Sequence, residues 1–235
     1  MSTQQQITVA VTEAAWRALD RAVGDFRRAE QLWLAAEMAK AELGSTWQER
    51  EAAKRQVRVR LKALRAEGKL LGTKELLVAA GLRLALEARG WDREWDPVPD
   101  GARDRGRPLG DYRAKHDESH EEGETEYPRL VNARLPIALA QRAVRSTYWT
   151  SAEWVARIRE WDSQWLAEDS PPVPLEAWAD RRRFQMRVVT VGDLMREAVG
   201  QAVSEVPRSI PGMIATVTPL EAAREAKGDD VPAGG

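Results

Sequence analysis

The two histidines of this 235-residue chain, His116 and His120, stand four apart with Asp117, Glu118 and Glu121 beside them. On a helix that spacing would turn two imidazoles toward one metal ion. The surrounding sequence is rich in Asp, Glu, Gly and Pro and almost free of aliphatic side chains. Nothing there would fix ligand geometry, so the stretch reads as a solvated linker and not as a metal site. Other chemistries fall more directly. The absence of cysteine excludes disulfides, thiolate metal sites and cysteine nucleophiles. The run Gly68 to Thr73 lacks the spacing and the Lys-Ser/Thr ending of a phosphate-binding loop, and no Gly-x-Ser-x-Gly elbow is present. Carboxylates are plentiful, but their order singles out no acid-base pair. No cofactor is expected, and the chain is not read as an enzyme.

Cations are the next candidates. Arg50, Lys54, Arg55, Arg58, Arg60, Lys62 and Arg65 cluster along one predicted helix and Arg181, Arg182 and Arg183 in another; both would suit phosphate contacts, and both equally suit solvated helix faces. With 36 basic and 37 acidic side chains the formal charge is -1, which argues against a uniformly basic nucleic-acid coat. The distribution is uneven: residues 1–90 hold 16 basic and 11 acidic groups, whereas residues 91–126 hold 6 and 12. Ten tryptophans stand against two phenylalanines. Trp154, Ile158, Trp161 and Trp165 share one helical stripe, and Trp16 and Trp33 accompany apolar faces, which suits core packing. Surplus indoles would also suit self-association or a protein partner.

The elements that must position these residues are mostly helical, since Ala, Leu, Arg and Glu abound and apolar residues recur at three and four from Trp16 through Leu19, Val23 and Phe26. That spacing predicts one long helix reaching about Met38. Thr46 with Glu49 three residues on has the form of a capping box, so a second helix is expected to about Glu67, and a third from about Thr73 to Ala88. Further helices are expected from Pro136, from Ser151 through Leu166, from Leu175, and from Thr190 to about Glu205. Alternation with period two puts Ile7, Val9 and Val11 on one face of a short strand, and Val131, Ala133 and Leu135 on one face of another. Four segments follow: 1–90, a first strand-helix-helix half with an inserted basic helix; 91–126, an acidic flexible linker; 127–206, a second half with a Trp-rich inserted helix; and 207–235, a loose tail in which Met213 to Thr218 could run extended. The most apolar stretch, Leu70 to Leu86, is interrupted by Lys74, Glu75 and Arg83, and Met1 to Gln6 carries no charged region before an apolar run. The expectation is a cytoplasmic protein with no membrane partner.

Two sub-patterns recur in the same order. Ile7 to Thr12 leads into one predicted helix and Val131 to Pro136 into another. Later, Leu71 to Leu86 is matched by Val189 to Val203. The fold class expected is therefore mainly α, made of two related strand-helix-helix halves, with strands able to pair as one two-stranded antiparallel ribbon. The stretches Asn132-Ala133-Arg134-Leu135-Pro136 and Val189 to Val199 resemble the strand and the second helix of the ribbon-helix-helix superfamily of DNA-binding proteins. The likeness covers roughly 60 residues, and the chain departs from the family in an extra stretch between the two helices of each half.

The resemblance implies a two-stranded ribbon lying in the major groove of duplex DNA, with outward side chains reading base edges. Carried over by position, the outward residues are Gln4, Gln6, Thr8 and Ala10 from one strand and Leu130, Asn132 and Arg134 from the other, with Gln4, Gln6, Thr8, Asn132 and Arg134 as the base-reading set. Gln and Asn can bond bidentately to adenine and Arg to guanine. The same pattern also fits a solvent-facing strand in a protein that binds no DNA. Phosphates would be held by amides at the starts of the final helices, at Gly72, Thr73 and Lys74 and at Thr190, Val191 and Gly192; these segments fit ordinary helix starts as well. The function expected is sequence-specific duplex DNA binding by a repressor, plasmid partition factor or DNA-processing accessory. The alternative is a helical scaffold or assembly subunit binding proteins through its Trp-rich helices.

Overall fold

The structure is a computed structural model and describes residues 3–100, 127–167 and 171–209. It is mainly helical with one two-stranded antiparallel sheet. In chain order the elements are β1 (Gln4–Val11), α1 (Glu13–Ala41), α2 (Trp47–Ala66), α3 (Lys74–Ala88), β2 (Arg129–Pro136), α4 (Ile137–Trp165), α5 (Leu175–Gln185), α6 (Val191–Ser204) and the single turn α7 (Val206–Ser209). Among the described residues no helix is long and apolar enough to cross a membrane, and no group of three or more His, Asp or Glu is placed to hold a metal ion. His116, His120 and the stretch Met213 to Thr218 lie outside the described residues.

The chain divides into two compact units. One takes Met1–Glu13 and Leu82–Ala198, the other Ala14–Gly81 and Val199–Gly235. In the first, β1 and β2 pair with Ile7 opposite Ala133, Thr8 opposite Asn132 and Val9 opposite Val131. The alternation in both strands makes the ribbon one-sided: Ile7, Val9, Val11, Val131, Ala133 and Leu135 are buried, and their neighbours face outward. α4 packs beside both strands and adds Leu139, Ala140 and Ala143 to the core.

α4 is one 29-residue helix where the sequence suggests two, broken near Ser151. The polar run that suggests a break is absorbed by the helix itself. Ser146 and Thr147 hydroxyls donate to the Ala143 carbonyl, and the Thr150 hydroxyl donates to that of Ser146 at 2.7 Å; such back-bonding satisfies the side chains without interrupting the backbone ladder. Ser151 is buried and serves the core, donating to the Val189 carbonyl at 3.1 Å and accepting from the Val189 amide at 3.0 Å.

Residues 91–100 contain neither helix nor strand, as expected of a connector, yet they are held against α4. Arg142 pairs with Asp92, Arg145 donates to the Trp95 carbonyl at 3.3 Å, and the Trp149 indole donates to the Asp96 carbonyl at 2.9 Å. The start of the expected flexible linker is thus tethered: its indoles, Trp91 and Trp95, lie under Arg89 and Arg93. Likewise, the expected loose tail begins with the turn of α7.

In the second unit, α1 and α2 form an antiparallel hairpin, because the ion pairs Glu30–Arg65, Glu37–Arg60 and Glu42–Lys54 run in opposite directions along the two helices. The hydrogen bond from Lys54 holds the Glu42 carboxyl below its ordinary value and raises the Lys54 ammonium. The capping box at Thr46 is formed: the Thr46 hydroxyl accepts from the Glu49 amide at 3.2 Å, and the Glu49 carboxylate accepts from the Thr46 amide at 3.0 Å. α2 stops at Gly68, whose φ of 71° lets the Lys69 amide reach back to the Leu64 carbonyl at 2.9 Å.

Candidate nucleic-acid interface

A two-stranded ribbon with one buried face leaves its other face to present side chains at every second position. On β1 these are Gln4, Gln6, Thr8 and Ala10; on β2 they are Leu130, Asn132, Arg134 and Pro136. Register places Gln4 opposite Pro136, Gln6 opposite Arg134, Thr8 opposite Asn132 and Ala10 opposite Leu130. All five residues of the expected base-reading set, Gln4, Gln6, Thr8, Asn132 and Arg134, are exposed and share this face. At its centre the Thr8 hydroxyl donates to Asn132 Oδ1 at 2.6 Å. That bond fixes the amide plane and leaves the Asn132 NH2 as a donor, with the hydroxyl oxygen of Thr8 as an acceptor. Arg134 is exposed and has no ion-pair partner among the described residues; its guanidinium carries five donors in a planar fork.

The ends of the ribbon are fastened. Arg129 forms a two-pronged pair with Glu13 at the start of α1, and these hydrogen bonds raise the Arg129 guanidinium above its ordinary value. At the other end, the Ile137 amide donates to the Thr3 carbonyl at 3.2 Å. Arg196, which sequence reasoning did not single out, donates to the Ala10 carbonyl at 3.3 Å, pairs with Asp193 at 2.6 Å and lies 4.5 Å from the centre of the Tyr127 ring. Its signal in the sequence is an acidic residue in the first turn of α6 with an arginine three residues later.

Arg196 thereby brings the start of α6 to the strand end. Thr190 caps this helix, accepting from the Asp193 amide at 3.1 Å, while Asp193 accepts from the Thr190 amide at 2.9 Å. The Thr190 amide is therefore taken. The Val191 and Gly192 amides, at the first two helical positions, have no acceptor among the described residues. A Cβ on Gly192 would meet nothing closer than 3.4 Å, so close packing does not demand glycine there.

The other expected phosphate site, Gly72, Thr73 and Lys74, lies in the second unit. Thr73 caps α3, its hydroxyl accepting from the Leu76 amide at 3.3 Å. Gly72 is buried, and a Cβ there would fall 2.7 Å from Glu30 Oε2. A carboxylate thus already occupies the space beside this glycine. Glu30 is itself buried, at 8% exposure, and is held by Arg65 through two hydrogen bonds, one of them Nε to Oε2 at 3.2 Å; the contact raises the Arg65 guanidinium. Gly72→Ala is expected to lower stability by about 1–3 kcal/mol by displacing that carboxylate. In an Arg65→Ala background the same change is expected to matter less, because the displaced pair is already broken. Urea midpoints of the four proteins in this cycle check it; strictly additive losses would show that Gly72 does not act through Glu30.

The cation clusters are partly engaged within the protein. On α2, Lys54, Arg60 and Arg65 pair with Glu42, Glu37 and Glu30, and Arg55 donates to the Glu51 carbonyl, leaving Arg50, Arg55, Arg58 and Lys62 without an ion-pair partner among the described residues. Arg181 pairs with Asp162 at 2.7 Å and lies over the Trp161 ring, and Arg183 pairs with Asp180. The tryptophan stripe is also mostly internal. Trp161 is buried and donates to the Ala177 carbonyl at 2.9 Å, and Trp154 stacks with Phe184 at 6.3 Å. Trp161→Ala would therefore report on folding and not on a surface contact. The exposed indoles among the described residues are Trp47 at 71%, Trp178 at 44% and Trp149 at 37%, the last with its N–H bonded to the Asp96 carbonyl.

No protein-family model, curated protein or solved structure provides a match to this chain.

Proposed function

We propose that the chain is a sequence-specific duplex DNA-binding protein that lays the β1–β2 ribbon in the major groove. Such a groove admits a two-stranded ribbon, and base edges there carry a readable donor and acceptor pattern. The reading is carried by one observation: the intrachain register that gathers Gln6, Thr8, Asn132 and Arg134 on one exposed face over a buried apolar one. The Val191 and Gly192 amides, which have no acceptor among the described residues and are tied to the strand end through Arg196, would supply a phosphate anchor. Gly72 to Lys74, in the other compact unit, are a separate phosphate contact proposed on sequence grounds, with Thr73 and Lys74 the contributors there, since Gly72 is covered by Glu30. The order of elements supports the two-half repeat and the likeness to the ribbon-helix-helix family: an eight-residue strand, a 29-residue helix and two further helices occur in turn twice, the second series ending in the extra turn of α7. The role is that of a repressor, partition factor or DNA-processing accessory. A protein scaffold would have to rely on Trp47, Trp149 and Trp178, which stand on different helices, and that gives the reading less support.

The test is a gel shift on a duplex selected from a randomised pool. Binding is expected to weaken steeply with salt, and Asn132→Ala or Arg134→Ala to relax base preference at one position each, by about 1–3 kcal/mol, with unchanged thermal melting. Because the two strands differ in sequence, the selected site is expected to be asymmetric. A strict requirement for a perfect inverted repeat would instead mean that two chains, each offering one ribbon, bind together.

A further inference from the structure

The outward face of the ribbon is graded along its length. Toward one end Gln4 stands opposite Pro136 and Gln6 opposite the cationic Arg134, at the centre the hydrogen-bonded Thr8 and Asn132 are neutral and polar, and at the other end Ala10 stands opposite Leu130. Leu130 is 63% exposed, so this apolar pair contributes little to the core beneath it. A leucine facing water on a recognition surface gains its contact area only when a ligand covers it. The apolar end is also the end tied to α6: the Arg196 guanidinium bonds the carbonyl of Ala10 itself, and the same guanidinium holds Asp193 in the first turn of α6.

Resting on the duplex-binding reading above, we propose that Leu130, with Ala10 beside it, is a specificity-determining residue that reads the 5-methyl group of thymine. In the major groove that methyl is the apolar feature of a base edge, and side chains without hydrogen-bonding groups are its complement. Arg134 has the fork geometry for the O6 and N7 of guanine. Four residues separate Leu130 from Arg134, roughly 13 Å of extended strand, so the two ends face different base pairs. The preferred site then has a direction, with thymine at the α6 end and guanine at the other.

The experiment uses the full chain and the duplex selected above, with single thymines replaced by uracil, a change that removes only the methyl group. At one or two adjacent positions near the same end of the site, uracil is expected to weaken binding of the unaltered protein about fourfold, the worth of one buried carbon. Leu130→Ala is expected to bind more weakly on the thymine duplex and to be indifferent to uracil at those positions. Uracil effects that are absent, or that persist undiminished in Leu130→Ala, overturn the thymine-methyl assignment and leave the ribbon reading standing. Failure of the unaltered chain to select any duplex overturns both. The uracil series on the unaltered protein needs no variant to fold.

Discussion

Ala133→Asp is expected to cost about 3–5 kcal/mol of folding stability, while Asn132→Asp, one residue earlier, is expected to change it by less than about 0.5 kcal/mol. Ala133 is fully buried, opposite Ile7 on the inner face of the ribbon. A carboxylate there has only apolar neighbours along the strand, Val131 and Leu135, both buried, and an unpaired charge in such surroundings loses its hydration without compensation. At 132 the new carboxylate stays in water and can still accept from the Thr8 hydroxyl. The same Asn132→Asp change places a negative charge on the face proposed to enter the major groove, between two polyanionic backbones, so it is expected to abolish duplex binding with the fold intact. Urea midpoints of the two variants measure the contrast; equal losses would mean that the ribbon does not have one wet and one dry side.

Trp161→Ala is expected to lower stability by about 3–5 kcal/mol, the range for truncating a large buried aromatic. The indole is 6% exposed, its centroid lies 4.9 Å from that of Trp178, and its N–H satisfies the Ala177 carbonyl. α5 has no buried residue of its own; its attachment to α4 includes this indole pair, the indole N–H to Ala177, the Arg181–Asp162 ion pair and the stacking of Phe184 on Trp154. Backbone amides of residues 175–185 are therefore expected to lose hydrogen-exchange protection before those of β1 and β2 do. Protection lost uniformly across the chain, or not at all, would contradict that account of how α5 is held.

Local signals of the fold were legible in the sequence because they depend on residues a few positions apart. The alternation at Ile7, Val9 and Val11 and at Val131, Ala133 and Leu135 is the burial pattern of the two strands. The box at Thr46 and Glu49 starts α2, and the spacing from Trp16 to Met38 falls within α1. The outward set followed from the same period of two. Less legible was everything decided by distant partners. The cations of α2 read as a basic face until the hairpin sets Glu30, Glu37 and Glu42 of α1 against three of them. Gly72 reads as a place for close approach of phosphate, and the group that approaches is Glu30, 42 residues earlier in the chain. Continuity of α4 turned on hydroxyls bonding back along their own helix, a choice that residues such as Ser146 and Thr150 make in context. Arg196 carries no pattern that points to Ala10, 186 residues away.

The wide separation of the paired strands has a bearing on biosynthesis. Thr8 must wait for Asn132, 124 positions downstream, so closure of the ribbon is a late, high-contact-order event. During translation the first strand, Gln-Gln-Gln-Ile-Thr-Val-Ala-Val, emerges uncharged and free of proline, a composition prone to intermolecular zippering while its ladder is empty. Nascent chains are accordingly expected to be most prone to self-association until the second strand leaves the ribosome.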